Sequence, residues 1–217
     1  MSQKIKILLV DDHPLVREGL VNLISRQADF EICGEAGNEP QALELIGAIQ
    51  PDVAIVDITL ENGSGIELIK SIKTSYPAVK TLVLSMHDES LYAERALRAG
   101  ARGYIMKREA AKKIIDGIRS VVAGQLYVSE KITAHMTEKF FAGRTAEALS
   151  PVEQLSNREL EVFQLLGRGC NTRQIADHLN IGFKTVQAFS ARIKDKLTNA
   201  TELLREAMRW HESQQPK

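Results

Sequence analysis

The sequence predicts an α/β protein in which a doubly wound domain of five parallel strands is followed by an all-α domain of four helices. Three observations carry this. Short apolar runs at residues 5–10, 53–56 and 79–85 read as strands buried on both faces of a parallel sheet. Stretches with apolar residues at helical spacing separate them, which is the rhythm of right-handed crossovers that cover both faces. From residue 155 onward only helical spacing remains, broken by cap residues and a three-residue turn.

Composition sets the outer limits. The 217 residues are 44% apolar and 26% charged, an ordinary globular balance at a length that suits two domains. No apolar run approaches the roughly 18 to 20 residues of a membrane span, and Met1-Ser-Gln-Lys leads straight into a strand without a signal-peptide core. A cytoplasmic protein is therefore expected, with Cys33 and Cys170 as reduced, packed thiols rather than a disulfide or a zinc site. Net charge is zero but unevenly spread. Residues 1–123 carry 15 Lys/Arg against 17 Asp/Glu, net −2, and residues 156–217 carry 10 against 7, net +3. A mildly basic carboxyl-terminal piece is compatible with nucleic acid.

Taken in order, residues 5–10 form the first strand and stop at Asp11-Asp12, before a helix with Leu15, Leu20, Leu23 and Ile24 at helical spacing. Two adjacent carboxylates at a strand end repel unless a cation shares them; the plainer alternative is that Asp12 caps the helix. Residues 31–36 are a second strand and 40–49 a second helix. The third strand, 53–56, ends at Asp57. The turn from Glu61 to Gly65 is rich in residues that tolerate positive φ, and a helix over about 65–75 follows. The fourth strand, 79–85, ends in Ser85; a helix over 91–99 closes at Gly100; the fifth strand, 103–106, runs into Lys107; and 110–122 forms the last helix of the unit.

A parallel sheet gathers the residues at its strands' carboxyl ends on one edge. Asp11, Asp12, Asp57, Ser85 and Lys107 all fall there. One chemistry suits them. Asp57 can attack a phosphoryl group, Asp11 and Asp12 can hold Mg²⁺, Lys107 offers a fixed positive charge, and Ser85 offers a hydroxyl donor. Taken singly, Lys107 could equally be a solvated surface residue and Tyr104 a packed edge aromatic. His87 is either an influence on how long a phosphate lasts or a solvent-facing helix-start residue, and Asp88 a helix cap.

The set Asp11-Asp12, Asp57, Ser85, Tyr104 and Lys107 resembles the receiver domain of two-component response regulators, a flavodoxin-like fold, over residues 4–123. That resemblance implies phosphorylation of Asp57 by a sensor histidine kinase, reorientation of Ser85 and Tyr104 on phosphorylation, and the backbone carbonyl of Thr59 as a further Mg²⁺ ligand. Where many receivers carry Met-Pro, this chain has Leu60-Glu61, so Glu61 joins His87 as a residue expected to tune metal affinity or phosphate lifetime.

Residues 124–151 read as a partly helical linker, with Ile132, Met136, Phe140 and Phe141 at helical spacing and breakers at Gly143, Ser150 and Pro151. Residues 152–217 form the second domain. Ser156 and Glu159 make a capping box ahead of Leu160, Val162, Phe163 and Leu166, and Asn171 caps a helix over 172–179. Asn180-Ile-Gly is the turn, 183–197 the third helix, and 200–211 the fourth. Two helices around a tight turn, the second basic, read as a helix-turn-helix; a bundle with a solvated basic face is the alternative. Lys184, Thr185, Gln187, Ala188, Ala191, Arg192 and Lys194 are the candidate DNA contacts, with Gln187 suited to an adenine edge and Ala188 to a thymine methyl. The stretches beginning at Leu155, Gly169 and Lys184 resemble the output domain of the NarL/FixJ class, the LuxR-type helix-turn-helix. Gln187 and Phe189 depart from the basic residue and histidine common there.

The resemblance implies a phosphorylation-dependent transcription regulator that acts on double-stranded promoter DNA, dimerises when phosphorylated, and is not an enzyme. An aspartyl-phosphate phosphatase would want a second Asp where Thr59 stands. An output that binds RNA or protein stays open at this point.

Overall fold

The computed structural model describes residues 4–60, 63–109, 111–141, 152, 154–197 and 207. The chain forms two compact units, Met1–Gly143 and Arg144–Lys217.

In the first unit, β1 (Ile5–Val10), β2 (Phe30–Ala36), β3 (Val53–Val56), β6 (Lys80–Ser85) and β7 (Gly103–Met106) form one parallel sheet in the order β2-β1-β3-β6-β7. The order reverses after β1, which is the doubly wound topology the sequence predicts. Ile7, Leu9, Val53, Ile55, Leu82, Leu84 and Ile105 line one face of the sheet and pack with α1 (Pro14–Ile24) and α5 (Ala111–Val122). Leu8 points the other way, towards Leu45 and Ile49 of α2 (Glu39–Ile49). There α2, α3 (Gly65–Ser75) and α4 (Glu89–Ala99) pack in series. Both faces are thus dry, as the uninterrupted apolar strands require.

Local chemistry fixes the helix ends. Asn38 accepts the Gln41 N–H at 3.0 Å to start α2, and Asp88 accepts the Ser90 N–H at 2.9 Å to start α4. Gly100, at φ +127°, ends α4 as the sequence predicts. Asp12 is not a cap. His13 holds the cap position of α1, without a side-chain cap bond, and Pro14 begins the helix.

Two features differ from the sequence reading. Thr59–Leu60 (β4) pairs antiparallel with Gly63–Ser64 (β5) as a short ribbon before α3, with the two residues between them, Glu61 and Asn62, outside the described residues. Gly65 is needed for close approach: a Cβ would sit 1.9 Å from the Asp57 carbonyl oxygen. The chain after α5 also returns to the sheet. Tyr127 bridges Gly103, with Tyr104 N–H donating to Tyr127 O at 2.9 Å and Tyr127 N–H to Arg102 O at 3.0 Å. The helix α6 (Glu130–Phe141) then packs on α4; its Ile132 is buried and its Phe141 exposed.

In the second unit, α7 (Asn157–Gly167), α8 (Thr172–Leu179) and α9 (Phe183–Lys196) enclose Leu160, Val162, Phe163, Leu165, Ile175, Val186 and Ile193. Leu165 takes the buried place that the spacing assigns to Leu166, which is half-buried. Both predicted capping residues act. Ser156 and Glu159 exchange bonds of 3.3 and 2.7 Å, and Asn171 pairs with Gln174 in the same reciprocal way. Lys196 ties the end of α9 to Glu159 at 2.6 Å. Asn180, in the left-handed region, turns the chain between α8 and α9. The predicted fourth helix lies outside the described residues except for Ala207, which is helical and buried.

Candidate phosphoryl site and nucleic-acid face

Asp57 is the first residue beyond β3, and its N–H donates to Val10 O at 2.8 Å, so the sheet's own hydrogen bonding holds it level with Asp11. Asp11 N–H likewise bonds Ala36 O, and Lys107 N–H bonds Ser85 O. The topology therefore brings Asp11, Asp12, Asp57, Ser85 and Lys107 to one edge from four strands. The Lys107 ammonium bridges Asp57 Oδ2 at 2.6 Å and Asp11 Oδ2 at 2.5 Å. Asp57 Oδ1 is buried with no hydrogen-bond partner among the described residues.

The electrostatics follow from that burial. Desolvation raises the Asp57 carboxyl to about 6; the Lys107 charge opposes this, and the nearby Asp11 and Asp12 add to it. Burial pulls the Lys107 ammonium down, but Asp57 and Asp11 outweigh it and the net direction is upward. Three carboxylates with one lysine leave a site that wants more positive charge.

A second layer surrounds it. Thr59 Oγ1 lies 2.8 Å from His87 Nε2, and the His87 ring packs tilted against Tyr92 with centroids 4.5 Å apart. The His87 N–H donates to Ser85 Oγ at 3.1 Å, and the Tyr104 hydroxyl donates to the His87 carbonyl at 2.9 Å. Tyr104 is buried and points inward; burial raises its hydroxyl pKa against the pull of the Ser85 hydroxyl. His87 is consequently half-buried and bridges Thr59, Ser85 and Tyr104 rather than facing solvent. Glu61 lies outside the described residues.

Sequence reasoning passed over three neighbours. His13 Nδ1 lies 2.7 Å from Asp12 Oδ1, Arg17 grips the Asp11 carbonyl at 2.5 Å, and Gly65 admits the Asp57 carbonyl. The histidine directly after Asp11-Asp12 was the one visible signal.

In the second unit, Lys184, Thr185, Gln187, Ala188, Ala191, Arg192 and Lys194 are all exposed on α9, while Val186 and Ile193 turn inward. The half-exposed Phe183 stands at the start of the same helix, and the Arg192 guanidinium sits 5.7 Å from the Phe189 ring centre.

A doubly wound domain with three carboxylates and a lysine at its carboxyl edge, joined to a helix-turn-helix, is the build of a response regulator, and the chain belongs to that family. The model of the response regulator receiver domain matches residues 7–119, and that of the bacterial regulatory proteins of the luxR family matches residues 153–207. Among its relatives is the oxygen regulatory protein NreC of Staphylococcus aureus, 34% identical over 196 residues that cover 88% of this chain and 90% of NreC. A LuxR-family two-component response regulator from Aurantimonas sp. is similar in structure, with TM-score 0.60 and 33% identity over 64% of this chain and 99% of that one. RcsB of Salmonella typhimurium shares the fold at TM-score 0.64 and 23% identity, over 96% and 98% of the two chains. RcsB has also been seen bound to the promoter rprA in the presence of the phosphomimetic BeF3-, in a structure with TM-score 0.60 and 24% identity over 94% and 98%.

Proposed function

We propose that Asp57 is the phosphoacceptor of this transcriptional response regulator and that its phosphorylation controls DNA binding by α9. The supporting observation is the Asp57 carboxylate itself, buried, bonded on one oxygen to Lys107 and open on the other. A sensor histidine kinase donates the phosphoryl group. An Asp57 oxygen attacks phosphorus, a P–O bond forms as the P–N bond to the kinase histidine breaks, and that nitrogen keeps the electron pair.

The open Asp57 oxygen among three carboxylates fits a divalent cation, held by Asp11, Asp12, Asp57 and the Thr59 carbonyl. Mg²⁺ bound there supplies the positive charge that offsets repulsion between carboxylate and phosphate. Lys107 stays charged and anchors the incoming phosphoryl oxygens. Ser85 and Tyr104 serve as the switch, since both already bond the backbone of His87 and must rearrange if the Ser85 hydroxyl turns to a phosphoryl oxygen. His87 and Glu61 tune the phosphate's lifetime.

The protein works in the cytoplasm, where kinase and DNA both are; no described helix is long and apolar enough to cross a membrane. Its working divisions are a receiver over 1–123, a linker over 124–151 that carries α6, and a DNA-binding domain over 152–217. The exposed basic face of α9 suits the major groove of double-stranded promoter DNA, and a phosphorylated homodimer suits an operator of two half-sites. Labelling with a small phosphodonor and Mg²⁺ tests the first step: wild type takes up about one phosphoryl group per chain, and Asp57→Asn takes up none. Labelling of the variant at the wild-type rate would place the acceptor elsewhere.

A further inference from the structure

Phe183 is the one exposed large apolar side chain among the described residues of the second unit, 49% exposed at the first position of α9. The helix has an apolar face that could have taken it. Val186 and Ile193 are fully buried there, and Phe189 is half-buried beside Arg192. Helical spacing puts Phe183 instead on one stripe with Gln187 and Lys194, both exposed. The residue before it, Gly182, has no side chain to cover the ring.

The surroundings of this ring select what can cover it. Lys184, Arg192 and Lys194 are exposed on α9 against a single carboxylate, Asp195. A second copy laid on this face would bring like charges together, whereas a nucleic-acid duplex brings phosphates to them. In a helix-turn-helix, moreover, the first residues of the second helix are those that reach base edges. A phenyl ring has no hydrogen-bonding atom with which to pair with such an edge. The apolar group that the major groove offers it is the C5-methyl of thymine.

We infer that Phe183 is a specificity-determining contact of the output domain: its ring packs on the C5-methyl group of a thymine in the major groove, and the chain prefers thymine at that position of each half-site. Ala188, the other apolar candidate, lies further round the helix, so the two side chains touch different bases. The inference rests on the proposed DNA-binding role of α9.

The test begins by selecting duplexes from a randomised pool with the full wild-type chain, a small phosphodonor and Mg²⁺. Each thymine of the selected duplex is then replaced singly by deoxyuridine, which removes the methyl group alone, and binding is followed by fluorescence anisotropy. At one thymine of each half-site the replacement is expected to weaken wild type about fourfold and Phe183→Ala by less than about 1.5-fold. Phe183→Leu, still apolar, retains part of the dependence. The ring already stands half in water, so neither variant disturbs the core. The inference is overturned if deoxyuridine is tolerated at every thymine, if wild type and Phe183→Ala lose equally, or if Ala188→Gly rather than Phe183→Ala removes the dependence. Lys184→Ala and Arg192→Ala report on the underlying reading. If they lower the salt dependence of binding while the deoxyuridine effect ignores Phe183, α9 is the DNA face and only the thymine contact fails. If they leave binding unchanged, or no duplex is selected, both fail.

Discussion

Asp57 is held at a cost. Its carboxyl is raised from an ordinary 3.8 to about 6 by burial, so the folded receiver keeps this proton to higher pH than the unfolded chain does. The stability linked to it is present at low pH and falls as pH rises through about 6. Above that, the ionised group costs on the order of 3 kcal/mol without a cation. Asp57→Asn is therefore expected to melt higher than wild type at pH 8 in chelator, with the gap narrowing towards pH 4.5. A gap independent of pH in thermal melts would mean that Asp57 is not the titrating group. Gly65 gives a second test. Its missing Cβ leaves room for the Asp57 carbonyl, so Gly65→Ala should lower stability by about 1–3 kcal/mol and slow phosphodonor labelling; an unchanged urea midpoint would contradict the packing. Asp11, Asp12, Asp57, Ser85 and Lys107 were legible in the sequence because a parallel sheet sends its strand ends to one edge. The His87 contacts with Thr59 and Tyr104, and the approach of His13 to Asp12, were not. They depend on side-chain directions in loops, which no periodicity encodes.

Elements were legible where local chemistry decides them. The caps at Ser156 and Asn171, the stop at Gly100 and the turn at Asn180 each follow from side-chain oxygens or backbone freedom that the sequence displays. The ribbon of β4 and β5 and the return of Tyr127 to the sheet edge were hidden, since each depends on a partner distant or irregular in sequence. Tyr127 fits only because Gly103 and Gly117 lack side chains there: a Cβ would meet its carbonyl oxygen at 2.8 Å and its ring at 3.1 Å, respectively. On α9 the exposed and buried positions divide as the spacing predicts, and this makes a quantitative claim. Lys184→Ala and Arg192→Ala should each weaken promoter binding and reduce the slope of log affinity against log salt by about one. Loss of affinity with an unchanged slope would show that neither contacts phosphate.

At the scale of the whole molecule, the receiver and the helix-turn-helix are separate compact units, and the link between them is the claim on which the regulatory account depends. Tyr104 joins the site to the chain leading out of the receiver, because its hydroxyl bonds the His87 carbonyl and its N–H bonds the Tyr127 carbonyl. A rearrangement of Ser85 and Tyr104 of the kind proposed would thus reach the segment that continues into α6. This path rests on the pairing of Tyr127 with Gly103, which the alternation of strands and helices does not predict. The most direct test is promoter binding by wild type and Asp57→Asn, with and without a small phosphodonor and Mg²⁺. The account predicts that phosphodonor tightens binding by wild type at least about tenfold, a coupling of roughly 1.4 kcal/mol, and leaves the variant unchanged. Equal tightening in the variant would contradict it.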